Sequence, residues 1–492
     1  MPKGARNWLT PAAWVAAVSG VLLLLFPYGF PNYDTIYALV WGRELAHGDS
    51  PDYGAALPPT PHPLTELWGL VTTPLGDGMI TLTMIGAYVS LGLIGYFVYR
   101  LGSIWFDRWI GALAAAIVLT RAPFLSNGLR AYIDLPYIAL CLGALLIEAK
   151  RPRAGWPVLA LLALAGLLRP EAWLFAVVYW LYLAYPSLSS STGRRAVSET
   201  ANRPVGGRDR GELVWLGALA LVGPILWALF DLITTGSPNY SWTGTKETVE
   251  TLERQTGPVD LFLYGPRRLG EVLQWPGMVG ALGGVALGLA LLRRRSTLGV
   301  AAAALALAAF ALLACGGLAI LPRYTMLAAA ILAIFAGVGL LGWRLLEPGH
   351  PWRRRWQVFA AIVAAMFLIW APNQWDLDSR VDTDLTNQAK IENDLTDLVD
   401  AGAFEPLCGE IAVPNHRAVP RLAFGLDIEP TEIVSASEEE APERGYFVAP
   451  ASPFVIHNFI LDPNDPTDPS FPAPQGFERV AANDSWIVYR RC

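Results

Sequence analysis

Apolar stretches long enough to enter a membrane recur over the first three-quarters of the chain, and no other feature limits its fold so tightly. A helix needs about 20 mostly apolar residues to cross ~30 Å of hydrocarbon. Such runs, some of them shorter, fall near 9–27, 79–99, 109–124, 131–149, 156–168, 172–185, 212–235, 276–292, 298–320, 324–345 and 356–371. No water reaches the bilayer core, so backbone polar groups there must pair internally; eleven helices are therefore expected. Hydrophobic residues are 53% of the chain and charged ones 16%, which excludes an ordinary soluble protein. The first run closes on Phe26-Pro27-Tyr28 without a clear small-residue cleavage site, so it is expected to be a span and not a removed signal peptide.

Basic residues set the orientation. With Lys3 and Arg6 inside, alternate connections receive Arg100 and Arg108, then Lys150, Arg151 and Arg153, then Arg194 through Arg210, Arg293 to Arg295, and Arg353 to Arg355. The intervening loops carry few Lys or Arg, a positive-inside pattern that predicts a cytoplasmic N-terminus in a plasma membrane. The Ser- and Arg-rich stretch 186–211 reads as a flexible cytoplasmic linker. Residues 156–185 are the ambiguous segment. Taken as one tilted helix, they would reverse every later loop. Taken as two short helices meeting at Arg169-Pro170-Glu171, they return all later basic clusters inside. Pro170 lacks a donor and disfavours helical geometry at Arg169, which favours the break.

After Pro372 the chain becomes acidic and rich in Pro and Asp, with no further span. Residues 372–492 are expected to form a separate extracytoplasmic domain of α/β or α+β class, with a helix at 386–401 and strands at 411–413, 445–449 and 486–489. Residues 1–371 would then be the transmembrane module, with outer loops 28–78 and 236–275. Cys408 and Cys492 both fall in the outer domain, an oxidising place for a disulfide; Cys141 and Cys315 fall within spans. No Cys-rich or Cys/His motif points to a sulfur-ligated metal.

On this topology Asp34, His62, Arg130, Asp134, Arg169, Glu171, Arg323 and Tyr324 all fall at the outer face, and ionisable groups buried at helix ends usually serve function. Each has a plainer explanation. Asp34 could cap the helix that follows it. Tyr37 and Trp41 would anchor that helix at the membrane interface. Arg130 and Asp134 are spaced i, i+4 at the start of the fourth run and could simply pair. Arg169 and Glu171 could pair with each other, Arg323 and Tyr324 could be interfacial, and His62 could be an ordinary loop histidine. Tyr240, Trp242 and Trp275 in the second long loop suit sugar rings or a membrane interface alike.

An Asp soon after the first span, a His-Pro element in a long outer loop, and an Arg-Tyr pair opening a late span together resemble the GT-C glycosyltransferases. More narrowly, over residues 10–345 the chain is similar to the protein mannosyltransferase and aminoarabinose transferase branch. The resemblance implies a polytopic GT-C-like fold and transfer of a sugar from a polyprenyl-phosphate donor to a glycan, lipid or protein acceptor at the outer face. It implies Asp34 as the residue that activates the acceptor or contacts a metal, and Arg323 and Tyr324 as the lipid-phosphate element; Arg130 is expected to contact the donor phosphate with them. His62, Asp134, Arg169 and Glu171 would line the cavity. Many members carry two adjacent acidic residues at the Asp34 position; here the neighbour is Thr35, a departure that weakens the case for metal dependence, and a divalent cation stays open as cofactor. Membrane lipids are expected partners and nucleic acid is not. The competing classes are a transporter, which should show repeated halves with paired broken helices, and a flippase without transferase chemistry.

Overall fold

The computed structural model describes residues 5–189, 208–460 and 472–492. Most of the expected linker 186–211, including Arg194, Arg195 and Arg203, lies outside the described residues. Every apolar run is helical. In chain order the helices are α1 (Ala5–Leu25), α2 (Tyr33–His47), α3 (Pro63–Thr72), α4 (Gly78–Trp105), α5 (Arg108–Leu119), α6 (Ala122–Leu129), α7 (Asp134–Lys150), α8 (Trp156–Gly166) and α9 (Glu171–Ser189). They continue with α10 (Arg210–Thr235), α11 (Tyr240–Thr251), α12 (Gly257–Leu291), α13 (Arg293–Cys315), α14 (Met326–Leu341) and α15 (Pro351–Asp400).

Among the described residues six helical segments are long and apolar enough to cross a membrane, and the bent pair α5–α6 would make a seventh. The remaining runs, α1, α7, α8 and α9, form helices of 21, 17, 11 and 19 residues. Eleven crossings would thus include one as short as α8, roughly 16 Å end to end. The exposed side chains match a lipid solvent. Ile233, Leu312, Leu368 and Ile369 point outward where a water-soluble protein would bury them. By contrast α14 is the central helix, enclosed by α5, α12, α13 and α15. Its contact with α12 depends on small residues. A Cβ on Gly284 would stand 1.8 Å from the carbonyl oxygen of Phe335, so only glycine permits that approach.

Several expected spans change shape. The run 109–124 breaks at Arg121, whose extended backbone (φ −85°, ψ 125°) starts a new helix with Pro123 in its first turn. The two halves are bent by 60°. The 156–185 stretch is two helices, α8 and α9, packed side by side. Half of the loop expected at 236–275 is helical and continuous with the following span in α12, apart from a kink at Gln274 (φ 62°, ψ 161°) just ahead of Pro276.

The C-terminal part adds a mixed five-stranded sheet of β1 (Ile411–Val413), β2 (Ile433–Ser435), β3 (Gly445–Pro450), β4 (Glu478–Ala482) and β5 (Trp486–Arg491), with the short helix α16 (Val419–Leu426) between β1 and β2. The order is β2-β1-β3-β5-β4. β1 is parallel to both neighbours, while β5 runs antiparallel to β3 and β4. The expected strands are β1, β3 and β5. The edge strand β4 is mostly exposed and carries no apolar run to reveal it.

The expected boundary at 371/372 falls inside one continuous helix, because α15 runs 50 residues with Pro372 in its interior. The lower part of α15 faces lipid, and its upper part, through Ile391, Leu395 and Leu398, enters the core of the C-terminal domain. That same core takes in Ile36, Tyr37 and Trp41 of α2. Tyr37 and Trp41 are therefore not interfacial anchors: they are 0% and 1% exposed, because the C-terminal domain covers the side of α2 that was expected to meet the membrane surface. Arg43 fastens the contact, donating to the carbonyls of Ala423 and Phe424 at 2.9 Å each and pairing with Asp427 at 2.9 Å. Cys408 and Cys492 are joined by a disulfide with a Cα–Cα distance of 5.7 Å.

Candidate functional site

A cavity of about 750 Å³ opens where α2, α7, α9, α11 and the segment before α14 begin and where α6, α8 and α10 end. Asp34, His62, Arg130, Asp134, Arg169, Glu171, Arg323 and Tyr324 all line it. Lys150 closes α7 and Arg151 and Arg153 precede α8, at the ends of those two helices away from the cavity. One cavity thus receives polar groups from both halves of the membrane module.

Asp34 is not the helix cap. Asn32 holds that post, its side-chain oxygen accepting from the N–H groups of Asp34 at 2.8 Å and Thr35 at 3.3 Å. The Asp34 carboxylate is left to face Arg323 at 3.3 Å, with side chains 28% and 24% exposed. The start of α2 is latched to the far wall. Asn32 donates to the Arg130 carbonyl at 2.8 Å, and the Thr35 hydroxyl donates to the carbonyl of Ala131 at 2.9 Å.

The expected Arg130–Asp134 pair does not form. Ala131 adopts φ 51°, which ends α6 at Leu129 and delays α7 until Asp134, so the two residues do not share a helical face. Arg130 instead donates to the Ser126 hydroxyl at 2.8 Å and lies over the Tyr132 ring at 5.0 Å. Among the described residues it has no acidic partner. Asp134 is held by Arg169, which also binds Glu171 at 2.6 Å. These three side chains are almost wholly buried. The Tyr324 ring stands between two guanidinium groups, 4.2 Å from Arg169 and 5.3 Å from Arg323.

His62 sits in the loop before α3, its ring edge-on to Trp227 at 5.3 Å. Burial pushes its pKa down to about 3, helped by the charges of Arg169 and Arg323, so the imidazole is neutral in the cavity. Its Nδ1 is buried without a partner among the described residues. Trp173, Trp227 and Trp242 supply flat apolar walls. Asp231 holds Ser241 through its backbone N–H at 2.9 Å and its hydroxyl at 2.8 Å, fixing the start of α11 against the end of α10. Sequence reasoning had noted Trp242 but passed over Asp231, Arg254 and His416, all of which line the cavity. No local pattern marks them; distant parts of the chain bring them in.

Among the described residues no group of three His, Cys, Asp or Glu side chains converges to hold a metal ion. The cavity carboxylates of Asp34, Asp134 and Glu171 are each paired with an arginine, and that of Asp231 accepts from Ser241. These pairings leave no ready-made metal-binding group among the described residues.

No protein-family profile matches the chain, and no curated protein sequence does. Solved structures do. Over 98% of both chains it superposes on ArnT from Cupriavidus metallidurans bound to undecaprenyl phosphate, with a TM-score of 0.56 and 15% identity. The fold is GT-C-like. The apo form of the same ArnT gives a TM-score of 0.52 at 16% identity, covering 99% of this chain and 98% of that one. The oligosaccharyltransferase of Archaeoglobus fulgidus in its apo form gives 0.48 at 12% identity, covering 92% of this chain and 70% of that one. At such identities the likeness concerns the path of the chain, and the chemistry has to be argued from the cavity.

Proposed function

We propose that the protein is a membrane glycosyltransferase that moves a sugar from a polyprenyl-phosphate carrier to a hydroxyl of a cell-envelope glycan, lipid or protein at the outer face of the plasma membrane. The observation that carries the reading is the pairing, in one cavity, of a carboxylate near Arg323 with a second arginine, Arg130, that has no acidic partner among the described residues. The carrier has precedent in the fold, since the ArnT structure holds undecaprenyl phosphate. The positive-inside pattern of the basic connections supports an outward-facing cavity and C-terminal domain, and an outer compartment suits the Cys408–Cys492 bridge.

The reaction breaks the bond between the sugar's anomeric carbon and the carrier phosphate and forms one to the acceptor oxygen. The acceptor proton passes to Asp34, and polyprenyl phosphate leaves with the bonding electrons. Charge grows on the phosphate as that bond breaks, so Arg130 and Arg323 favour the transition state; a guanidinium meets phosphate oxygens with two parallel donors. As Arg323 turns toward phosphate it loosens its hold on Asp34, which readies the carboxylate to accept the proton. Tyr324 keeps Arg323 in place by its ring. The Asp134–Arg169–Glu171 cluster forms the floor, and neutral His62 with the tryptophans faces the sugar.

The test is incubation of the purified protein with a panel of radiolabelled undecaprenyl-phosphate sugars and envelope membranes. Label transferred to membrane material in a manner dependent on Asp34 is expected. Movement of intact carrier between leaflets of proteoliposomes, with no transfer from any donor, would replace this reading by a flippase.

A further inference from the structure

We infer that the C-terminal domain is a working wall of the cavity, and that its His416 contacts the acceptor and helps select it. The inference rests on the transferase reading above and extends it to a region to which no role has been given. Two independent features support it.

The first is placement. His416 is the C-terminal domain's contribution to the cavity lining, and it arrives beside the start of α2, its ring edge-on to Tyr33 at 5.4 Å and 82°. Tyr33 is the immediate neighbour of Asp34. It is itself held by a hydrogen bond from its hydroxyl to the carbonyl of Leu57 at 3.0 Å, in the loop that forms the cavity rim. The position is firm. The Asn415 side chain accepts from the N–H of Arg417, capping the turn that carries His416, and the Arg417 guanidinium donates to the Phe459 carbonyl at 2.9 Å. The shared core and the Arg43 contacts prevent the domain from swinging away from α2. The Thr431 N–H also donates to Asp52 at 2.8 Å, a further tie to the first loop.

The second is topology. β1 is flanked on both sides by parallel strands: the chain leaves it through α16 to β2 on one side, and β3 lies on the other. The connections leaving the carboxyl ends of β1 and β3 therefore run to opposite sides, β1's through α16 to β2 and β3's toward β4 and β5. In open α/β sheets that is where a crevice forms and ligands bind. His416 lies three residues beyond β1, at that end, and it lines the cavity of the membrane module. An imidazole there can donate to or accept from a hydroxyl, which suits an acceptor entering from the aqueous side while the lipid donor comes from the bilayer. The donor-phosphate arginines, Arg130 and Arg323, belong to the membrane module, so the two substrates would be read by different parts of the chain.

The experiment uses the full-length protein in lipid nanodiscs, with an undecaprenyl-phosphate sugar as donor and a dilution series of envelope extract from the source cells as acceptor. His416→Ala should raise the apparent KM for acceptor about tenfold, the scale of one lost hydrogen bond to a bound ligand, while the KM for donor moves less than twofold. His416→Gln, which keeps a donor and an acceptor, should recover part of the loss; it also carries the test if the Ala variant fails to fold. An acceptor KM within twofold of the parent, or acceptor and donor KM rising together, would overturn the assignment while leaving the transferase reading intact. A parent protein that transfers from no donor overturns that reading and this assignment with it.

Discussion

Two ionic clusters share the cavity and are built in opposite ways. Asp134, Arg169 and Glu171 are 1%, 7% and 4% exposed, and two carboxylates compete for one guanidinium. Asp34 and Arg323 are one to one, and about a quarter of each side chain remains open. The difference decides what each can do. Charges withdrawn from water are held only by each other, so the buried cluster cannot release Arg169 to a substrate without stranding two carboxylates. The open pair has solvent and a ligand-sized space beside it, and Arg323 can exchange one anion for another. Substitutions at four positions would break or sharpen this contrast.

The largest effect is expected at Arg169. Removing one partner of a buried ionic group typically costs about 3–5 kcal/mol, and here two carboxylates would be left uncompensated. Arg169→Ala should therefore yield little folded protein in detergent, read by size-exclusion chromatography and tryptophan fluorescence melting. A melting midpoint like the parent's would show that the cluster is hydrated and abolish the distinction. Next comes Asp34. Loss of a general base lowers the rate ~10²–10⁴-fold, and Asn32 already caps α2, so Asp34→Asn should lose turnover without losing thermal stability. Turnover at the parental rate would move the search for the base elsewhere in the cavity.

A smaller effect is expected at Arg323. Arg323→Ala should raise the donor KM by about tenfold, and Arg323→Lys should restore only part, because an ammonium lacks the paired donors. If donor titrations of both variants overlay the parent, the pair with Asp34 is structural after all. The smallest effect concerns a buried carboxylate with no arginine. Glu66, in α3, accepts from the Tyr53 hydroxyl at 2.8 Å, and burial pushes its pKa up to about 8. A carboxyl whose pKa is raised on folding makes the folded state bind an extra proton. It therefore lowers stability as pH rises from the unfolded carboxylate range through about 8. Glu66→Gln removes that dependence, so the gap in melting midpoint, variant above parent, should be wider at pH 8 than at pH 5. A gap that shrinks with pH would mean the carboxylate is already charged and paired.

Much of the architecture was legible because a bilayer imposes a length on every helix and a sign on its flanks. The break at Arg169-Pro170 could be read from proline's missing donor together with the basic loops that follow. What could not be read were features set by contact. Tyr37 and Trp41 look like interfacial anchors until α16 and the core of the C-terminal domain close over them. Arg130 and Asp134 look like a helical pair until Ala131 breaks the helix between them. Pro372 looks like a boundary, yet α15 passes through it.

By itself the sequence determined that the chain spans a membrane, roughly where its helices lie, and which polar residues reach one end of them. Hydrophobic length and the positions of arginine and lysine are local and additive, so they survive in a linear string. The tertiary structure alone decided who pairs with whom: Arg323 with Asp34, Arg169 with Asp134 and Glu171, and His416 with the start of α2. Those pairings join residues distant in the chain, and each depends on whether a neighbouring surface leaves a charge open or closes over it. Burial of that kind belongs to the packed molecule and has no signature in any short stretch of sequence.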